Sequence, residues 1–81
     1  MNSNMTNYHA LAKSIKNSVK NGTVNAGSAR NNLESIYAAA EENFYKNLPK
    51  NSTTRNRQAN KLQEIMRWSQ GHWNYKSATK N

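Results

Sequence analysis

The chain has 81 residues, room for a single domain, and carries 12 Lys and Arg against 4 acidic residues, for a formal net charge of +8. With a pI near 10.1 its natural partners are polyanions or acidic proteins. The absence of cysteine excludes disulfides and Cys-based zinc sites, and only 35% of the residues are hydrophobic, so the core must be small.

No stretch is long and apolar enough to cross a membrane. The opening segment MNSNMTNYHALAK lacks the charged and apolar regions of a signal peptide, so a cytoplasmic protein is expected, with the whole of 1–81 as one small helical domain with frayed termini. A core this poor implies either marginal stability or a homodimer, which adds buried apolar area.

Thr6 is placed to cap a first helix over 7–20. Tyr8, Leu11, Ala12, Ile15 and Val19 lay an apolar stripe along it, and Asn21-Gly22 ends it. Lys13, Lys16 and Lys20 follow at spacings of three and four, so they share a face, and His9 is placed on the same face one turn earlier. That face is either a row of phosphate contacts or the solvated side of an amphipathic helix. The lack of any acid on this helix favours phosphate, because ordinary surfaces mix signs.

After a turn over 21–28, Asn25 or Ser28 can cap a second helix over 26–48. Its stripe is Ala29, Leu33, Ile36, Tyr37, Ala40 and Phe44, and Pro49 stops it. This helix holds Glu34, Glu41 and Glu42, three of the four acids, against Arg30 and Lys46.

Ser52, Thr53 or Thr54 can cap a third helix over 54–70, with Ala59, Leu62, Ile65 and Met66 apolar and Gly71 as terminator. Lys50, Arg55 and Arg57 gather at its start, where backbone N–H groups also favour anions. Arg57, Lys61, Glu64 and Trp68 recur at four, three and four, on the side away from Leu62, and Arg67 lies in the last turn. A Trp on a polar face can stack on a base, anchor a dimer, or be covered by the chain's tail. Beyond it, Trp73, Tyr75 and Lys76 mix rings and charge as single-stranded nucleic acid requires, or else the rings fill gaps in a thin core.

Nothing reads as a strand, so the expected fold class is all-α, a three-helix domain. No metal set is expected, and His9 and His72 have no acid near them in sequence. With no glycine-rich phosphate loop either, neither an enzyme nor a bound cofactor is expected. The candidate nucleic-acid-binding residues are thus Lys13, Lys16, Lys20, Lys50, Arg55, Arg57, Lys61, Arg67, Trp68, Trp73 and Lys76.

The leading expectation is a sequence-tolerant RNA-binding protein. The alternative is a helix-turn-helix-like DNA regulator with Arg55, Asn56, Arg57, Gln58 and Asn60 entering the major groove, although the linker at 49–54 is long for that motif. In size, basicity, Asn- and Lys-rich composition and helical pattern, the whole chain resembles phage counter-defence proteins of the TifA type. That resemblance implies an RNA-binding, dimeric inhibitor of a ToxN-class toxin endoribonuclease, acting through RNA in the bacterial host. It transfers no individual residue.

Overall fold

The computed structural model describes residues 4–74. Three helices follow one another: α1 (Asn4–Lys20), α2 (Ala26–Lys46) and α3 (Ser52–Ser69), each in contact with the other two. The result is an all-α bundle with no strand among the described residues.

The ends are set by local chemistry. Asn25 caps α2, its Oδ1 accepting from the N–H groups of Gly27 and Ser28 at 2.8 and 3.2 Å. Asn51 caps α3 by accepting from Thr54 N–H at 3.0 Å, so this helix starts two residues earlier than expected, and Ser52, Thr53 and Thr54 lie within it. The chain leaves α2 at Asn47, whose N–H returns to the Asn43 carbonyl at 3.0 Å, before Pro49 is reached.

Both glycine terminators behave as the sequence implies. Gly22 and Gly71 have φ of 77° and 93°, a left-handed conformation that costs glycine little. Around each, a pair of backbone bonds closes the helix end: Gly22 to Val19 with Thr23 to Ser18, and Gly71 to Trp68 with His72 to Arg67. This is the Schellman arrangement, and it satisfies carbonyls the helix leaves open.

Met5, Ala12, Leu33, Ala40, Phe44, Leu62, Ile65 and Trp68 form the core, with Tyr8, Ile15, Ile36, Tyr37, Ala59 and Trp73 packed around it. Fully burying a side chain such as Leu33 or Ile65 contributes about 1.5–3 kcal/mol. Ala12, Ala29 and Ala40 are fully buried, and their small size lets backbones approach where larger side chains are scarce.

Helix α1 departs from its expected stripe in two ways. It begins at Asn4, with Thr6 inside the helix rather than capping it, which brings Met5 into the core. Leu11 is exposed instead of buried. The inward side of α1 is set by two neighbours, α2 and α3, and runs through Met5, Tyr8, Ala12, Ile15 and Val19, widened by His9 and Lys16. Leu11 falls outside that arc.

Candidate nucleic-acid interface

The seam between α1 and α3 is built from side chains that the sequence places on solvated faces. Trp68 is only 3% exposed and belongs to the core. It is not available to stack on a base or to anchor a dimer. Since α3 packs on both other helices, its buried arc is wide; Trp68 lies three residues beyond Ile65, adjacent on the same surface.

Among the described residues, α1 lies over Trp68. The His9 ring lies 5.2 Å from the Trp68 ring, tilted by 41°, and Lys16 Nζ stands 4.9 Å above the ring centroid. His9 Nε2 is 2.6 Å from Glu64 Oε1 on α3, so the nitrogen donates and the carboxylate accepts. His9 therefore does not extend the lysine row, and its acid partner comes from 55 positions away in the chain. Sequence spacing within one helix cannot reveal such a pair; only the wide inward arc of α3 hints at it.

The basic candidates divide by what already holds them. Lys16 is half-buried against Trp68. Arg55 clasps the α2–α3 loop, Nη1 donating to the Pro49 carbonyl at 2.9 Å and to that of Lys50 at 3.4 Å. Lys61 and Arg67 are half-buried, and Arg67 Nη1 reaches Gln70 Oε1 at 3.5 Å. By contrast Lys13, Lys20, Lys50 and Arg57 are exposed, together with Arg30 and Lys46, which the sequence pattern does not single out.

Trp73 is half-buried and packs against the core, filling space as one of the two sequence readings has it. Lys76 and Tyr75 lie outside the described residues. Of the side chains that would read a major groove, only Asn56 and Arg57 are exposed; Arg55 is engaged with the loop, and Gln58 and Asn60 are half-buried.

The acids are distributed differently. Glu64 is engaged by His9, and Glu41 accepts from the Tyr37 hydroxyl at 3.3 Å, leaving Glu34 and Glu42 exposed, both on α2. The Tyr37 hydroxyl has its pKa raised above 10.0, first by burial and then by the charge of Glu41 and the hydrogen bond to it. Along α1 and the turn after it, Ala10, Lys13, Ser14, Asn17, Ser18 and Asn21 line a shallow, open depression with no acid in it.

Among the described residues no group of three or more His, Cys, Asp or Glu could hold a metal ion, and no helix is long and apolar enough to cross a membrane. No protein-family model matches the chain, and neither the curated proteins nor the solved structures contain a match to it.

Proposed function

We propose that the chain is a non-catalytic RNA-binding protein that engages the phosphate backbone with little regard to sequence. The observation that carries this reading is the imbalance of free surface charge. Lys13, Lys20, Arg30, Lys46, Lys50 and Arg57 are exposed, against Glu34 and Glu42, and α1 carries no acid at all. Each cation that neutralises a phosphate releases condensed counterions, so affinity falls steeply as salt rises.

RNA is favoured over a DNA regulator because only two of the five α3 side chains expected to enter a major groove are exposed. Arg55 is tied to the carbonyls of Pro49 and Lys50. Of that set Asn56 and Arg57 are exposed, and Gln58 and Asn60 are half-buried.

The biological role we assign to that binding is counter-defence: a phage-encoded, dimeric inhibitor that reaches a bacterial toxin endoribonuclease through RNA in the host cytoplasm. Its support is the resemblance of size, charge and Asn- and Lys-rich composition to proteins of the TifA type.

The test is purification without nuclease, followed by sizing of aliquots treated with RNase or DNase. A high ratio of absorbance at 260 to 280 nm, with a large species collapsed by RNase alone, is the expected result. A clean protein peak that neither enzyme alters, even in low salt, would overturn the RNA reading. The same column reports whether the RNA-free chain is a dimer.

A further inference from the structure

With Trp68 in the core and Trp73 packed against it, the exposed ring among the described Phe, Tyr and Trp residues is one that the charge pattern alone does not mark. Tyr45, in the last turn of α2, is 65% exposed. Its ring is braced edge-on by the buried Phe44, with centroids 5.1 Å apart and planes at 74°. Leu48, just past the helix and three residues after Tyr45, is 48% exposed.

Two exposed cations lie close to Tyr45 and Leu48 in sequence. Lys46 follows Tyr45, and Lys50 follows Leu48 across Pro49; both are exposed. The loop that carries Lys50 is pinned to the first turns of α3 by the Arg55 guanidinium on the carbonyls of Pro49 and Lys50. Glu41 and Glu42 both lie one turn before Tyr45 on α2; Glu42 is exposed, and Glu41 accepts a hydrogen bond from the Tyr37 hydroxyl.

An open ring with an apolar neighbour and flanking ammonium groups suits one kind of nucleic acid. In a duplex the base faces are hidden in the stack, and a protein meets phosphates and groove edges. An unpaired base presents its face, and a tyrosine can stack on it while nearby lysines hold the adjoining phosphates. We infer that Tyr45 and Leu48, flanked by Lys46 and Lys50, form a stacking site for an unpaired base of single-stranded RNA. This inference rests on the RNA-binding reading and adds to it the form of RNA and the place where it is held.

The experiment compares the full chain with its Tyr45→Leu, Tyr45→Ala and Tyr45→Phe variants. The probes are a fluorescein-labelled oligouridine and a blunt RNA duplex of the same length, read by anisotropy. Leu keeps an apolar, helix-compatible side chain without a flat ring, so the test survives if the alanine variant folds poorly. Tyr45→Leu and Tyr45→Ala are expected to weaken oligouridine binding about tenfold and to leave duplex binding unchanged, while Tyr45→Phe keeps both.

If the unaltered chain binds neither RNA, the RNA-binding reading itself falls and this site with it. If it binds, but Tyr45→Leu leaves oligouridine affinity unchanged or weakens both probes equally, the stacking site is overturned and general RNA binding stands. A change from dimer to monomer in RNA-free Tyr45→Leu would also overturn it, by making the patch a contact between copies of the chain.

Discussion

Two regions combine an aromatic ring with positive charge, and they use the combination in opposite ways. In the α1–α3 seam, Trp68 is buried beneath Lys16 and His9, and Glu64 closes the contact. At the α2–α3 corner, Tyr45 stands open beside Lys46 and Lys50. The seam uses its charged groups to join helices, whereas the corner leaves Lys46 and Lys50 exposed. A count of basic and aromatic residues does not separate the two; what separates them is whether a second helix lies over the ring.

The largest effect expected from breaking this contrast lies in the seam. Trp68→Ala removes a buried ring and should cost about 3–5 kcal/mol, a large share of the stability of so small a domain. Chemical denaturation followed by helical circular dichroism measures it. A loss below about 1 kcal/mol would mean that the ring is not the centre of the seam.

Glu64→Ala is next. It leaves the His9 ring nitrogen without its acceptor in a site where the two side chains are 16% and 22% exposed. The expected cost is about 1–3 kcal/mol in the same denaturation assay.

Lys16→Met sharpens the comparison further. It removes a cation held over Trp68, so stability should fall by about 0.5–1 kcal/mol. Its effect on RNA affinity should be smaller than that of Lys13→Met, three residues away on the exposed side of the same helix. Equal losses of affinity in parallel titrations would erase the distinction between structural and working lysines.

The smallest effect concerns Tyr37. Its folded-state pKa is raised above 10.0, so the native state favours the neutral phenol more than the unfolded chain does. The resulting stability is fully present below the unfolded pKa and is lost as pH rises through the folded one. Tyr37→Phe should therefore lose less stability between neutral and strongly alkaline pH than the unaltered chain. Alkaline titration of the two melting curves would show parallel losses if Tyr37 contributes nothing.

Much of the fold is legible in the sequence because the signals are local. Gly22 and Gly71 end helices wherever they are packed, Asn25 caps by reaching its own next residues, and the α2 stripe from Ala29 to Phe44 turns inward as its spacing implies. The site is less legible because its meaning depends on neighbours distant in sequence. Lys13, Lys16 and Lys20 look equivalent by spacing, yet Lys16 alone meets Trp68. Arg55 and Arg57 form a basic pair in sequence, but Arg55 faces the carbonyls of the loop behind it. Trp68 reads as polar-face because Arg57, Lys61 and Glu64 share its spacing; the arrival of α1 turns that flank into an interior.

We propose that the free cations on the bundle's surface bind RNA phosphates while the engaged ones hold the fold, a claim that the salt dependence of oligouridine affinity checks, for the unaltered chain and for a variant with Lys13, Lys20, Lys50 and Arg57 all changed to Gln. Each lost phosphate contact should lower the slope of log affinity against log salt by about 0.7 for a single strand, so the variant should bind weakly and with a much flatter slope while its melting curve stays in place. An unchanged slope in the folded variant would contradict the claim.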